Sequence, residues 1–304
     1  MRGRPVAYAL VSLVLATGTL AAAESVAVAP SAFAAQSPDN FRDATTVDLI
    51  SRGAKPRVHL RLTSAEGATS VAAVRQDVAT KQTVSGLEQP SAPVTITADL
   101  RSTVTSVDKD GVRTVSFVYE NASEPALNGV GGSYVVTDRG FTSNGKFTFP
   151  SGTDAETQDA LQSFATQLVM LTTPFPFEPV GVGARWKVTE HPTANGMTST
   201  QSVVYTLVER DDHRIVLRSK LRQTAPSQPI QDAGLPENAT ATLVGSLGSG
   251  AGDATVDLDQ VLPDASAALG RVEQAILVEQ GTQRVQISQT VTTNLSVTSK
   301  GSGA

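Results

Sequence analysis

The residues of this 304-residue chain whose spacing comes closest to metal chemistry are aspartates beside turns. Asp108-Lys-Asp110-Gly111 has the first two acidic positions of a calcium-binding loop, but position twelve of such a loop is a glutamate and is Tyr119 here. Aspartate followed by glycine is also typical of a β-hairpin turn, which is the better interpretation. Asp253, Asp257 and Asp259 flank apolar residues and fit the solvent-facing side of a strand. We therefore predict no metal site.

Two further segments have the outline of a catalytic or nucleotide-binding motif. Ser143-Asn-Gly-Lys146 matches the Ser-x-x-Lys of penicillin-recognising enzymes, but the sequence lacks their Ser-Asp-Asn and Lys-Thr-Gly motifs. Gly248-Ser-Gly250-Ala-Gly252 lacks the Gly-Lys-Ser/Thr that holds a phosphate in nucleotide-binding loops. We predict a hairpin for the first segment and a flexible turn for the second.

Histidine and cysteine give no further chemistry. The sequence has no cysteine, and its three histidines, His59, His191 and His213, lie far apart and outside any zinc-ligand spacing. A hydrolase that uses two carboxylates stays open as an alternative, because glycoside hydrolysis needs no more than that, but no pair of acids stands out. We predict a non-enzymatic protein with no catalytic residue and no cofactor.

The first residues have the parts of a bacterial secretory signal peptide in the required order. Met1-Arg-Gly-Arg-Pro is basic, residues 6–20 are mostly apolar, and small-residue cleavage sites follow. Cleavage is expected next to Ala34 and Ala35, with Ala23 as the alternative. The absence of twin arginines favours the general secretory route, and without cysteine there is no residue for N-terminal lipid attachment. We expect a protein that is secreted or held in the cell envelope.

The charge balance gives no indication of a strongly charged partner. Removing residues 1–35 takes away Arg2, Arg4 and Glu24, so 24 basic and 29 acidic residues become 22 and 28, and the net charge changes from −5 to −6. The charges show no cluster along the sequence. We therefore expect no nucleic-acid partner and no binding to an anionic membrane surface.

Period-two alternation of apolar and polar residues is the strongest structural pattern. It runs over 285–297 and 94–104, and each run exceeds the usual strand length, which favours a strongly twisted and curved sheet. Turns are predicted at Asp110-Gly111, Asn144-Gly145, Asn195-Gly196 and Gly281. Similar strand-like runs lie at 57–64, 68–84, 112–119, 133–149, 184–190, 199–209, 213–224, 239–247, 253–261 and 271–280.

One segment has helical spacing instead. Thr153-Asp-Ala-Glu156 is a capping box, and apolar residues recur at helical intervals until Thr173-Pro174. This predicts a single amphipathic helix over 154–171 between two antiparallel β-meanders. The expected organisation is a signal peptide at 1–35, an N-terminal meander at 36–150, the helix and a proline-rich connector at 151–180, a C-terminal meander at 181–299, and a tail at 300–304.

The connector carries a resemblance to known proteins. Pro174-Phe-Pro-Phe-Glu-Pro179-Val-Gly-Val-Gly183-Ala-Arg-Trp186, with the strand at Tyr205-Thr-Leu207, resembles an uncharacterised family of bacterial secreted proteins and lipoproteins in which such a segment leads into a β-meander. The resemblance covers mainly 154–299 and implies a fold rather than an activity. Many family members are lipid-anchored, whereas this chain has no cysteine. The outline is also similar to the half-barrels of periplasmic lipoprotein carriers of the LolA and LppX type.

These observations predict a mainly β protein with long curved strands in an open half-barrel. Three functions fit it: a carrier that binds a lipid, a lipoprotein or another apolar ligand, a surface or structural protein that meets partners without a cavity, and the carboxylate-based hydrolase. We favour the carrier, because one helix covers so large a sheet incompletely and leaves an apolar hollow. The predicted ligand-binding residues are Leu161, Phe164, Leu168, Leu171, Phe175, Phe177 and Trp186.

Overall fold

The computed structural model describes residues 45–154, 157, 158, 161, 172–194, 197–230 and 239–303, and 65% of these described residues are in strands. No helix in this described part is long and apolar enough to cross a membrane. The strands, in chain order, are β1 (Thr46–Ser51), β2 (Thr69–Val84), β3 (Leu87–Gln89), β4 (Val94–Val107), β5 (Arg113–Glu120), β6 (Gly131–Val136), β7 (Thr142–Thr148), β8 (Arg185–Glu190), β9 (Thr193–Ala194), β10 (Met197–Thr198), β11 (Thr200–Arg210), β12 (Arg214–Ala225), β13 (Gln228–Ile230), β14 (Ala239–Asp257), β15 (Ala265–Gln280) and β16 (Gln283–Gly303). A short 3-10 helix at Pro125–Leu127 follows β5.

One large antiparallel sheet holds almost all of these strands. Its order is β1-β8-β11-β12-β14-β15-β16-β2-β4-β5-β6-β7, with β3 paired to β2 and β13 paired to β14. Two runs of sequential neighbours, one from each half of the chain, meet where β16 pairs with β2. The sheet does not close into a barrel, and β1 and β7 form its two ends.

The alternating pattern correctly predicted which side chains face inward. On β16, Ile287, Gln289, Val291 and Val297 are buried, whereas most residues between them are exposed or half-exposed. We call the side of the sheet that carries the buried residues the core face and the opposite side the outer face. Because successive side chains of a strand point to opposite faces, the register assigns every residue of the sheet to one of the two.

Several local predictions were wrong. Residues 57–64 form no strand and make only an isolated bridge, from Val58 to Val180. Residues 239–247 and 253–261 were predicted as separate strands around a flexible glycine turn, but β14 runs without a break from Ala239 to Asp257. Asn144 has a φ of 51° inside β7, where the register with β6 shifts, so it forms a bulge rather than a hairpin turn. In each case pairing with neighbouring strands outweighs the local turn propensity.

The predicted helix over 154–171 is not seen as a whole among the described residues. The cap lies one residue later than the capping box predicts, at Asp154 and not at Thr153. The Asp154 carboxylate accepts a hydrogen bond from the Thr157 N–H at 2.9 Å, and its carbonyl accepts one from the Gln158 N–H at 2.9 Å. Thr157, Gln158 and Leu161 are helical, and the rest of 155–171 lies outside the described residues. The signal peptide prediction, residues 1–35, also lies outside them.

Buried apolar side chains form two separate clusters on the core face. The main cluster lies where the connecting segments cover the sheet, and it includes Leu60, Phe175, Trp186 and Leu262. The second cluster lies toward the opposite end of the central strands, and its members are Met197, Ala225, Ile230, Ala241, Leu243, Ile276 and Ile287.

The segment before β2 is fixed over the main cluster by a buried cation. The Arg113 guanidinium donates hydrogen bonds to the carbonyls of Leu62 and Ser64, each at 2.8 Å, and to that of Gly111. Burial lowers the pKa of Arg113, but an arginine keeps its charge. These bonds tie Leu60 and Leu62 to the end of β5 and explain why an extended segment without strand pairing stays on the core.

Candidate functional site: a glycine-lined trough in the core face

The structure brings three of the seven predicted ligand-binding residues together. Leu161, Phe175 and Trp186 are fully or almost fully buried in the main cluster. The Trp186 indole N–H donates to the Pro174 carbonyl at 2.9 Å, and the ring stacks on Tyr205 with 5.7 Å between centroids. The proline-rich connector therefore holds the tryptophan in place, as its rigidity predicts.

The other predicted residues are placed differently. Phe177 is 67% exposed, with its ring edge-on to His59 at 6.4 Å and facing the Arg139 guanidinium at 5.7 Å. Phe164, Leu168 and Leu171 lie outside the described residues. A ligand contact for any of the seven stays a prediction.

A strip of glycines crosses the core face between the two clusters. Gly248, Gly250 and Gly252 alternate along β14, all on the core face, and Gly250 pairs directly with Gly270 on β15. A Cβ atom on Gly252 would come within 2.8 Å of the Ala267 carbonyl oxygen, so the strand pairing there needs glycine. A Cβ atom on Gly270 would meet no described atom within 4 Å, so the space above it is open.

Longer side chains stand on both sides of this strip. Leu221 on β12 pairs with Gly250, and Thr293 on β16 pairs with Gly270. Strands lie about 4.8 Å apart, so these two side chains are separated by about 14 Å across β14 and β15. Glycine leaves the layer between them empty, which makes a depression in the core face that we call the trough.

The residues around the trough are mostly apolar and half-buried. Val272 lies beside the strip on β15, and Val203 and Leu295 lie on strands further out. These three side chains are half-buried, whereas Val291, in the same section of β16, is buried. Along β16 it extends over the seven residues from Gln289 to Leu295, or about 20 Å.

A row of amide and hydroxyl side chains closes the trough on the side of the second cluster. Ser246, Gln274, Gln289 and Gln82 pair one with the next across β14, β15, β16 and β2, all on the core face, and we call them the glutamine row. They are 3%, 5%, 5% and 9% exposed. The side-chain amide N–H of Gln274 donates a hydrogen bond to the side-chain amide oxygen of Gln289 at 2.5 Å. The Ser246 hydroxyl and the Gln82 amide nitrogen have no hydrogen-bond partner among the described residues.

Sequence reasoning missed both features. The glycines were assigned to a turn, because glycine is rare inside strands. The four residues of the glutamine row come from four distant segments, and only the strand register aligns them. The alternation in β16, where Gln289 occupies an apolar position, was the one local indication of it.

The outer face carries a group of cations that was not apparent in the sequence. Arg218, Lys220 and Arg222 follow one another on the outer face of β12. Arg185 and Lys187 lie on the same face of β8, each two strands from a β12 cation. The cations are therefore clustered in space, although they are dispersed along the chain.

Carboxylates neutralise only part of this cationic group. Asp48 lies 3.5 Å from Lys187, and Asp253 lies 3.1 Å from Arg218. Lys220 and Arg222 have no ion pair with any described residue. This face therefore carries a charge cluster that the charge pattern along the sequence did not predict.

A shallow groove of about 930 Å³ lies next to the cations. One row of directly paired outer-face residues crosses it from β12 to β2: Thr224, Leu247, Glu273, Thr290 and Lys81. Leu247 is 65% exposed, and Glu273 is paired with Arg271 at 2.7 Å. Ser246, Gln274 and Gln289 of the glutamine row are also among the residues that line the groove.

The motifs that resemble catalytic or metal sites have structural roles among the described residues. The Asp108 carboxylate accepts hydrogen bonds from the N–H groups of Asp110 and Val112 and closes the β4–β5 hairpin turn. His213 pairs with Asp259 at 2.9 Å on the surface. No group of three or more histidine, cysteine, aspartate or glutamate side chains in the described part could hold a metal ion.

Comparison with known proteins identifies no relative. A scan against protein-family models finds no match to this chain, and a search of curated proteins finds none. The resemblance of residues 154–299 to the family of bacterial secreted proteins and lipoproteins therefore stays a prediction.

Proposed function

We propose that this chain is an exported, non-enzymatic protein that binds an apolar ligand, such as a lipid chain, in the trough. The observation that carries this proposal is the space above Gly270 that the described residues leave open, in the middle of a core face whose two ends are filled by packed side chains. Half-buried valine and leucine side chains lie beside this depression. A ligand that removed their apolar surface from water would bind with a favourable free energy.

The shape of the trough favours a long, thin ligand. Its floor is made of four glycines, so an apolar chain could approach the backbone of β14 and β15 closely. It is about 14 Å wide and about 20 Å long by strand geometry. These proportions suit one or two extended hydrocarbon chains better than a compact ring system.

The single tryptophan provides a reporter for the test. Trp186 stacks on Tyr205, which lies on the core face of β11, and Tyr205 pairs through Ser219 with Gly252. A ligand in the trough would therefore change the surroundings of the Trp186–Tyr205 pair. Titration of the full chain with monopalmitoylglycerol should shift the tryptophan emission and raise the melting temperature.

A matched pair of variants makes this test specific. Gly270→Phe places a ring in the open space of the trough and should weaken binding at least tenfold. Ala267→Phe places the same ring on the outer face of the same strand and should leave binding unchanged. Equal binding by the two variants, or no binding by the unmodified chain, would contradict the proposal.

A surface protein that meets partners without a ligand is the second candidate. It is favoured by the cluster of cations on β8 and β12 and by exposed Leu247 and Leu269 on the same face. In that case Lys220→Glu, and not Gly270→Phe, would abolish the interaction. The two candidates are thus separated by which face of the sheet is sensitive to substitution.

A further inference from the structure

The glutamine row indicates which class of ligand the trough would take, an inference that rests on the proposed function. We propose that the row binds the neutral polar group of an amphiphile, through ester, hydroxyl or amide oxygens, while the hydrocarbon chain lies over the glycines. A monoacylglycerol is the simplest compound with this chemistry. Fatty-acid carboxylates and phospholipid head groups would be disfavoured.

The first support is the unfulfilled hydrogen-bonding capacity of the row. The Gln82 amide nitrogen and the Ser246 hydroxyl, at the two ends of the row, are buried without a hydrogen-bond partner in the part of the chain that the structure describes. Buried polar groups in native proteins are nearly always hydrogen-bonded, because an unpaired one keeps its full desolvation cost. An oxygen-rich ligand group would accept a bond from the Gln82 amide and exchange one with the Ser246 hydroxyl.

The second support is the absence of charge around the row on the core face of the described strands. The next core-face residues toward the trough are Gly248, Val272, Val291 and Thr80, and those on the other side are Leu243, Ile276, Ile287 and Val84. A buried phosphate, carboxylate or ammonium group would have no counter-ion there, which is strongly unfavourable. A neutral hydrogen-bonding group has no such cost.

The third support is the position of the row. On β14 and β15 the row residue is the next core-face residue after Gly248 and Val272 of the trough. The second apolar cluster lies on the other side of the row. A ligand chain that follows the strands over Gly252, Gly250 and Gly248 would therefore arrive at Ser246. Polar contacts at one end of an apolar site fix the orientation of a ligand.

The test compares head groups on one hydrocarbon chain. The full chain is titrated with monopalmitoylglycerol, palmitate and lysophosphatidylcholine, and dissociation constants are measured by native mass spectrometry and by tryptophan fluorescence. We expect monopalmitoylglycerol to bind at least tenfold more tightly than the two charged compounds. Tighter or equal binding of palmitate would overturn the head-group inference and leave the apolar-ligand function intact, whereas no binding of any compound would overturn both.

Variants of the row provide the second arm. Ser246→Ala and Gln82→Leu should each weaken monopalmitoylglycerol binding about tenfold and leave palmitate binding unchanged. Ser288→Ala and Gln286→Leu, on the outer face of β16, are the matched controls and should have no effect. Ser246→Ala removes an unpaired hydroxyl and should keep or raise the melting temperature of the free protein, so a loss of affinity in it cannot be attributed to misfolding. Unchanged affinity in both row variants would overturn the inference.

Discussion

Gly250 of β14 lies directly opposite Gly270 of β15, and both face the core side of a continuous sheet. The two glycines differ in what surrounds them. A Cβ atom on Gly250 would lie 2.9 Å from the Leu269 carbonyl oxygen, whereas one on Gly270 would have no described neighbour within 4 Å. One glycine is required by strand packing, and the other leaves a space unfilled.

This difference predicts opposite effects of valine on stability. Gly270→Val should raise the free energy of unfolding by up to about 1 kcal/mol, because valine favours strands and the space for it is open. Gly252→Val should lower it by about 1–3 kcal/mol, because the new side chain would be forced against the β15 backbone. Urea unfolding of the two variants checks this. Destabilisation by Gly270→Val would show that the space above it is occupied in the folded protein.

The two phenylalanines of the proline-rich connector should contribute very unequally to stability. Phe175 is 1% exposed in the main cluster, so Phe175→Ala should lower the free energy of unfolding by about 3–5 kcal/mol. Phe177 is 67% exposed, and Phe177→Ala should change it by less than about 1 kcal/mol. Chemical unfolding measures both values. Similar losses for the two variants would contradict the placement of Phe177 at the surface.

Lys220 should be destabilising at low ionic strength because of its neighbours. Arg218 and Arg222 flank it on the outer face of β12, each about 6.6 Å along the strand. Lys220→Glu should raise the free energy of unfolding by a few tenths of a kcal/mol, and the gain should disappear near 1 M salt, where screening is nearly complete. Lys109→Glu, in an exposed turn beside Asp110, serves as the control and should give no gain.

The contacts of the Asp99 carboxyl should contribute to the loss of folding stability at low pH. Hydrogen bonds from Lys300 at 2.6 Å and Asn121 at 2.9 Å, together with the Lys300 charge, hold the pKa of this carboxyl below its ordinary value of 3.8. A group with a lowered folded pKa stabilises the protein above its unfolded pKa, and that stability is lost as the pH falls through the folded pKa. Asp99→Asn should therefore show a weaker decline in melting temperature below about pH 4 than the unmodified protein.

A matched variant separates this effect from general acid denaturation. Asp212 is exposed in the β11–β12 turn and has no described hydrogen bond or ion pair. The melting curve of Asp212→Asn should follow that of the unmodified protein as the pH is lowered. If Asp99→Asn gave the same pH profile as Asp212→Asn, the Lys300–Asp99 contact would have no role in acid stability.

The signal peptide gives a prediction that needs no structural information. In a bacterial host with general secretion, the mature protein should begin at or near Ala35, because the basic start, the apolar run and the small-residue site occur in the required order. Intact-mass measurement of secreted material decides it. A mass that retains residues 1–34 would contradict export.

The sequence by itself determined the class of fold and the face of each strand. Alternation depends only on the two-residue period of an extended chain. The local pattern therefore predicted the strands β4 and β16 and the burial of Val291 and Val297. The local pattern placed the helix cap one residue too early, because Asp154 and not Thr153 accepts the capping hydrogen bond.

The tertiary structure alone decided what the central strands can do. Glycine at 248, 250 and 252 is a poor strand former by itself, and it is held in a strand because β12 and β15 pair with it on both sides. The glutamine row and the cations of β8 and β12 are assembled from distant segments by register, which no local pattern encodes. The candidate site is therefore a product of strand pairing, whereas the strands that build it are a product of sequence.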